Sequence, residues 1–140
     1  NQSTNFVFNK FFRKITKNKN KTLKILEIKG RKIEIENFFD GIMKFNFNEL
    51  CNRNLGSEDY INFANNCDFL LIENLPDFDE DNSNQQQRFI TLIDILYEKK
   101  IPLMITSNVS LDSIHSSKSL REPFKRTISR LYELTSINYD

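Results

Sequence analysis

The chain has 140 residues with a net charge of +1, and 39% of them are hydrophobic, including 13 phenylalanines. That apolar content is enough for a packed core and excludes a wholly disordered chain. Only 3 glycines are present, which excludes collagen, a glycine-rich linker and a glycine-rich phosphate loop. No apolar run reaches the ~18 residues of a membrane span. Two cysteines, Cys51 and Cys67, cannot build a disulfide scaffold or a Cys-based metal site.

The two ends of the chain differ in charge from its middle. Residues 1–32 carry ten Lys and Arg and a single acid, residues 33–98 carry fourteen acids and three bases, and residues 99–140 carry seven bases and four acids. A basic arm beside an acidic body can bind nucleic acid or another anionic partner. The heavy use of Asn, Lys, Ile and Phe is also typical of an AT-rich genome, so both explanations stay open.

The first 45 residues predict a helix followed by a β-meander. Hydrophobic residues at helical spacing predict a short amphipathic helix over residues 4–15, and the polar run 16–21 predicts a loop. Apolar residues on both sides of Lys29-Gly30-Arg31 predict a β-hairpin, in which Gly30 supplies the positive φ of a tight turn. Asp40-Gly41 predicts the next turn, which leads into a short strand over residues 42–45.

Sequence patterns typical of helices follow residue 45. Asn46 or Asn48 can cap a short helix that contains Cys51. A second helix is predicted to begin at Ser57, because acidic residues in its first turn favour the positive end of the helix dipole. The pattern over residues 124–134 predicts a final helix.

A βαβ unit is predicted in between. Residues 69–72 are a continuous apolar run, typical of a strand buried on both faces. Residues 77–85 predict a solvated acidic loop, residues 85–100 an amphipathic helix, and residues 101–105 a second buried strand. This spacing predicts parallel strands with a right-handed crossover. The sequence therefore predicts an α/β fold, in which a β-hairpin is followed by a parallel βαβ unit and flanking helices.

Two candidate sites, one for a metal ion and one for a nucleophile, lack residues that their chemistry requires. The acidic run 77–82 has the alternating Asp of a calcium loop, but Asn82 replaces the required Gly and Arg88 replaces the bidentate Glu. His115 is the single histidine, and nothing in the sequence places a nucleophile beside it, which favours a surface loop. We predict no metal site and no catalytic residue in this chain.

Polar residues at strand ends are the third candidate. Glu73 and Ser107-Asn108 follow the two buried strands, where nucleotide-hydrolysing α/β folds place the groups that position magnesium and water. Without a phosphate loop in the chain, we interpret them as cap and turn residues.

Arginines on the last helix are the fourth candidate. Arg126 and Arg130 lie four residues apart, hence on one helix face. Their forked donors suit a phosphate or carboxylate, which favours a nucleotide or subunit contact. The alternative interpretation is that the two arginines form ion pairs with Glu122, Glu133 or the acidic middle segment.

Five strings in this order resemble the C-terminal part of the ZapE family of P-loop ATPases, the AFG-one-like proteins. The resemblance covers about residues 25–139. The strings are FNFNELC (45–51), LGSEDYI (55–61), ENLP (73–76), RFITLIDILY (88–97) and FKRTISRLYEL (124–134), with Tyr139 shortly after.

The resemblance implies an AAA-like ATPase whose Walker A, Walker B and first sensor motifs lie upstream. Residues 1–21 would then be a helix and basic linker, and residues 22–140 a C-terminal α/β domain of an ATPase whose nucleotide-binding core is missing. The chain begins with Asn1 rather than Met, and we expect a fragment that is inactive alone. ATP and Mg²⁺ are implied for the full-length protein, and none for the fragment. Arg88, Arg126 and Arg130 become candidates for nucleotide or subunit contacts.

The resemblance also implies a cellular setting. It is the cytoplasm at the division site on the inner membrane in the bacterial branch, and protein quality control in the mitochondrial branch. Expected partners are the missing ATPase core, a division-site or membrane-associated protein and further copies of the chain, whereas nucleic acid is not favoured. The alternative is a stand-alone, non-catalytic binding module that uses its basic N-terminal arm on an anionic partner.

Overall fold

The structure is a computed structural model that describes the backbone of residues 2–136 and the side chains of residues 6–136. Tyr139, which belongs to the resemblance, lies outside this range. Short 3-10 turns precede the last two long helices, at Glu80–Asn82 and Lys118–Leu120. In chain order the elements are α1 (Gln2–Thr16), β1 (Thr22–Ile28), β2 (Arg31–Phe39), β3 (Ile42–Asn46), α2 (Phe47–Cys51), α3 (Ser57–Asn65), β4 (Phe69–Leu75), α4 (Ser83–Lys99), β5 (Leu103–Ser107) and α5 (Arg121–Thr135).

A mixed five-stranded sheet in the order β1-β2-β3-β4-β5 forms the centre of the fold. The pairs β1/β2 and β2/β3 are antiparallel, whereas β3/β4 and β4/β5 are parallel. The predicted α/β class and the parallel β4-α4-β5 unit are confirmed. The parallel pairing of β3 with β4 was not predicted, because nothing in a five-residue strand reveals which neighbour it will have.

Two turns of the same kind connect the first three strands. Lys29 and Gly30 have φ of 49° and 78°, and Asp40 and Gly41 have φ of 50° and 93°. Positive φ at both central residues defines the type I′ turn, whose twist matches that of a β-hairpin. Both predicted turns are confirmed. A Cβ at Gly41 would also meet the carboxylate of Asp68, which would have to move aside.

A β-bulge in β2 decides which side chains face which side of the sheet. Lys24 pairs with Ile35, but Thr22 pairs with Phe38, so β2 carries one extra residue between these pairs. An extra residue reverses the alternation of the side chains beyond it. As a result Phe38 joins the same core as Ile35, while Phe39 points to the opposite face.

Helices cover both faces of the sheet. The larger core lies between α2–α5 and one face, and the smaller core lies under α1 on the other. In the smaller core, Phe8 of α1 is buried against Ile42, Phe69 and Leu71. The helix predicted over residues 4–15 is therefore confirmed, and it packs on this sheet. β4 is buried on both faces, as its apolar run predicted.

Several predicted boundaries were wrong. The last strand spans residues 103–107 rather than 101–105, because Pro102 contributes only its carbonyl, which accepts the Leu70 N–H. The loop predicted over 77–85 is shorter, since Asp79 caps the turn that leads into α4 at residue 83. The predicted start of α3 at Ser57, by contrast, is confirmed, and the N–H of Gly56 before it donates to the side chain of Asp59.

The acidic loop is also less solvated than predicted. Phe78, in the middle of it, is 2% exposed and contacts the rings of Phe47, Phe89 and Phe124. The loop is therefore anchored in the larger core by one aromatic side chain, while its carboxylates stay outside.

The tip of the first hairpin is held by α3. Arg31 Nη2 donates to Asp59 Oδ1 at 2.6 Å, and Lys29 pairs with Glu58 at 2.7 Å. Asp59 is buried, so its charge is balanced by Arg31 and by the N–H of Gly56. This pairing ties the meander to the helical layer.

Residues 2–136 contain neither a membrane-spanning helix nor a metal-binding cluster. Within that range no helix is long and apolar enough to cross a membrane. No group of three or more His, Cys, Asp or Glu in the same range could hold a metal ion.

Candidate functional site

The two predicted arginines of α5 meet one aspartate of α4. Arg130 Nη1 lies 2.5 Å from Asp94 Oδ1, and Arg126 Nη2 lies 3.6 Å from Asp94 Oδ2. The Arg130 guanidinium also stacks 4.5 Å from the centre of the Tyr97 ring. We call these four residues the arginine seam. It joins α4 to α5 above the apolar contacts of the two helices.

The two arginines of the seam differ in how exposed their side chains are and in how closely they pair with Asp94. The Arg130 side chain is 22% exposed and is held by a short ion pair and a ring, so it has a structural role. The Arg126 side chain is 58% exposed and makes only the longer contact to Asp94. Weak exposed pairs are broken at small cost. Arg126 can therefore reach a further anionic group, whereas Arg130 cannot do so without leaving Asp94.

The acids on α5 do not pair with these arginines. Glu122 pairs with Lys125 at 2.9 Å. Glu133 is hydrogen-bonded to Tyr97, and that bond raises the pKa of the Tyr97 hydroxyl. Among the predicted ion-pair partners of Arg126 and Arg130, the acidic middle segment forms the contacts, through Asp94.

Arg88 lies outside the arginine seam. Its Nη1 donates to the carbonyl of Cys51 at 3.1 Å, at the C-terminal end of α2. The last carbonyls of a helix have no partner within it and favour a cation. Tyr60 donates to the neighbouring carbonyl of Leu50 at 2.6 Å. Arg88 and Tyr60 thus supply hydrogen bonds to the last two carbonyls of α2.

The thiol beside this contact is buried and unreactive. Burial raises the pKa of Cys51 to about 12, against the weaker opposing effects of Tyr60 and Arg88. Burial also raises the pKa of Cys67 to about 12. A nucleophilic cysteine needs a lowered pKa and access to solvent. The structure gives neither to the two thiols.

The C-terminal ends of the parallel strands place Glu73 and Ser107 at one edge of the sheet. Glu73 pairs with Lys44 at 3.3 Å, and the Lys44 ammonium lies 4.6 Å from the centre of the Phe12 ring. Ser107 Oγ donates to the Leu75 carbonyl at 2.9 Å. Both groups have local partners. Glu73 lies within β4 rather than in a cap or turn, whereas Ser107 Oγ accepts the Val109 N–H in the turn after β5.

The backbone of β4 has an irregularity at this edge. Asn74 has a φ of 65°, and the pairing of β4 with β5 shifts between Ile72 and Leu75. Asn tolerates this left-handed conformation better than most residues do. The Asn74 N–H donates to Thr106 Oγ1 at 2.9 Å, so a side chain replaces the missing ladder bond.

His115 lies on the surface and pairs with Asp77. Its Nδ1 is 2.7 Å from Asp77 Oδ2, and its backbone N–H donates to Oδ1 at 2.5 Å. An open cleft of about 480 Å³ lies beside it, lined in part by Leu111, Arg121 and Phe124. The contact with Asp77 holds the loop after β5 against the loop after β4.

Sequence reasoning missed the polar residues on which these contacts depend. The sequence pattern places Asp94 and Tyr97 on an amphipathic helix and indicates no role for Gln86. Gln86 is fully buried; its Oε1 accepts the Ser117 N–H and its Nε2 donates to Ser116 Oγ. A glutamine among the buried positions of a helix was the one available signal, because buried polar groups need partners.

Removing the Asp94 carboxylate should destabilise the domain. Asp94→Ala leaves Arg130, which is largely buried, without its anion, and we expect a loss of about 1–2 kcal/mol after allowing for partial exposure. Glu122→Ala is the matched control, and its stability should change by less than about 0.5 kcal/mol. Urea unfolding of both variants measures the difference. Equal losses would contradict a structural role for the seam.

Comparison with known proteins finds a family model that matches the whole chain and relatives that match part of it. A family model described as AFG1-like ATPase matches residues 1–140. The chain is 31% identical over 91 residues to lactation elevated protein 1 homolog B of Danio rerio, covering 65% of this chain. It is 27% identical over 114 residues to the cell division protein ZapE of Escherichia coli K12, covering 81% of this chain. An uncharacterised Schizosaccharomyces pombe protein is 28% identical over 90 residues, or 64% of this chain.

These matches cover only part of each relative. They span 18% of the zebrafish protein, 30% of the E. coli protein and 20% of the fission yeast protein. No solved structure matches the chain significantly.

Proposed function

The chain belongs to the AFG1-like ATPase family, and from that premise we propose that it is the C-terminal α/β domain of an ATP-hydrolysing protein. Its P-loop, AAA-like nucleotide-binding core would lie upstream of residue 1. The family implies nucleotide, with Mg²⁺, in the full protein. The chain itself has no G-x-x-x-x-G-K-[ST] string, so its own residues supply no phosphate loop.

The observation that supports this proposal is the arginine seam. Two strings of the resemblance, RFITLIDILY (88–97) and FKRTISRLYEL (124–134), lie in α4 and α5. The seam joins Asp94 of the first string to Arg126 and Arg130 of the second. Residues that mark the family therefore build one surface, on which Arg126 retains an exposed guanidinium.

We propose that Arg126 contacts nucleotide or a neighbouring subunit when the full protein assembles. An arginine that reaches a transferring phosphoryl group neutralises the charge developing in the transition state. The long contact to Asp94 leaves Arg126 able to turn toward such a group, while Asp94 keeps it close to the surface.

ATP turnover by the full-length protein tests this role. Arg126→Ala should lower kcat by at least about 100-fold if the guanidinium meets the phosphoryl group, while the unfolding free energy changes by less than about 0.5 kcal/mol. Lys125→Ala, at the neighbouring exposed position, is the control and should keep its turnover. Unchanged turnover in Arg126→Ala would remove the proposed contact. Absence of turnover in the wild-type protein would reject the ATPase itself.

The coding DNA upstream of residue 1 tests the domain arrangement. A frame that continues into G-x-x-x-x-G-K-[ST], with a buried strand ending in Asp-Glu beyond it, would support the missing core. A start codon at or just before Asn1 would contradict it and favour the stand-alone binding module.

For the cellular setting, we propose a cytoplasmic protein at the bacterial division site, with a membrane-associated partner and a homo-oligomeric state. The E. coli relative named as a cell division protein supports this setting. A fluorescent fusion of the full protein at mid-cell is the expected result. Mitochondrial location would favour the protein quality control branch instead.

A further inference from the structure

The solvent face of α1 carries a line of cations. Lys10, Arg13, Lys14 and Lys17 are all exposed, and none pairs with a carboxylate among the residues that the structure describes. Successive helical residues turn by about 100°, so Lys10, Arg13 and Lys14 lie within an arc of about 100° on α1, and Lys17 follows in the turn after Thr16. We call these four residues the basic stripe.

The opposite face of α1 is occupied by its own sheet. Phe8 is 1% exposed, and Phe11, Phe12 and Ile15 pack around the same core. Phe12 lies edge-on to Phe39, with ring centres 5.0 Å apart. The apolar side of α1 is thus packed on the sheet, and this packing holds the basic stripe toward solvent.

Two large apolar side chains lie beside the basic stripe. Phe6 is 63% exposed and Val7 is 57% exposed. By the same helical rotation Phe6 falls within the arc of the stripe, one turn before Lys10, and Val7 falls on its flank. Exposed apolar side chains beside cations can enter the interfacial region of a bilayer while the cations meet its headgroups.

We propose that α1 binds the headgroups of an anionic lipid bilayer through the basic stripe, with Phe6 and Val7 entering the interfacial region. Lipid is favoured over nucleic acid because a bilayer offers an apolar phase to Phe6 and Val7, which phosphate contacts alone would leave in water. Three of the four cations are lysines, which act as point charges and need no fixed geometry from the anion.

Vesicle cosedimentation of the full-length protein tests this proposal. Binding is expected to phosphatidylcholine vesicles that contain about 30% phosphatidylglycerol and not to pure phosphatidylcholine, and it should weaken as salt rises from about 0.05 M to about 0.5 M. The double variant Lys10→Gln/Lys14→Gln should bind about 25-fold more weakly, roughly fivefold for each cation. Phe6→Ser should weaken binding several-fold without changing the salt dependence.

A matched variant controls for net charge. Lys99→Gln/Lys118→Gln removes two exposed lysines far along the chain and should bind vesicles as the wild type does. Thermal unfolding and vesicle-free ATP turnover are expected to be unchanged in every variant, which separates this proposal from the ATPase role.

Three results would overturn the proposal. They are no binding to anionic vesicles at low salt, equal losses in the stripe and control variants, and displacement of the protein from vesicles by equimolar DNA. The last result would assign the basic stripe to nucleic acid.

Discussion

Between pH 9 and pH 12 the protein is expected to lose several kcal/mol of stability because its two cysteines are held neutral by burial. Burial raises the pKa of Cys51 and of Cys67 from 9.0 to about 12 in the folded state. The unfolded chain releases these protons near pH 9, and the folded chain only near pH 12. Stability is therefore complete below pH 9 and falls by about 1.4 kcal/mol per pH unit for each thiol above it.

Cysteine variants separate this effect from the titration of lysines. Cys51→Ala/Cys67→Ala should be less stable than the wild type at pH 8, because two small cavities form. Its stability should then decline more slowly with pH, so that the two proteins converge above pH 10. Urea unfolding at half-unit steps from pH 8 to about pH 11 follows both. A constant difference across this range would contradict the raised pKa values.

Phe78→Ala is expected to cost about 3–5 kcal/mol, a large share of the stability of a domain of this size. The Phe78 ring lies 5.5 Å from that of Phe124, 5.8 Å from that of Phe47 and 6.0 Å from that of Phe89. Its removal leaves a cavity where α2, α4 and α5 meet. It also releases the loop that leads into α4, so the surrounding residues can close only part of the space.

Two further variants make the measurement specific. Phe78→Leu keeps most of the apolar volume and should cost clearly less than Phe78→Ala. Phe6→Ala removes a ring that is 63% exposed and should change stability by less than about 0.5 kcal/mol. Urea unfolding curves give all three values. A loss under about 1 kcal/mol for Phe78→Ala would show that the acidic loop is solvated, as its composition alone predicts.

Local patterns in the sequence were sufficient for most elements. The two type I′ turns, the cap at Asn46, α4 and the buried run of β4 each depend on residues within a few positions of one another. Backbone preferences and hydrophobic periodicity act over that same distance. The resemblance to the ATPase family likewise came from short strings, and the family match over the whole chain confirms it.

The boundaries that failed did so where a distant residue decides the local structure. The last strand was predicted to begin at Ile101, but β5 begins at Leu103, and Pro102 before it only accepts the N–H of Leu70 from the neighbouring strand. Phe78 sits among acids, yet it is buried because three rings from other elements surround it. No pattern within the loop contains that information.

Short sequence patterns are enough to identify the family, the α/β class, the lack of a phosphate loop in this chain and the basic character of its first residues. The pairing of β3 with β4, the contacts of Asp94 with Arg126 and Arg130, and the outward position of the cations on α1 are visible only in the folded chain. These features join residues that are 20 or more positions apart. Their energies depend on burial and on the distance between charges, and those quantities exist only after the chain has folded.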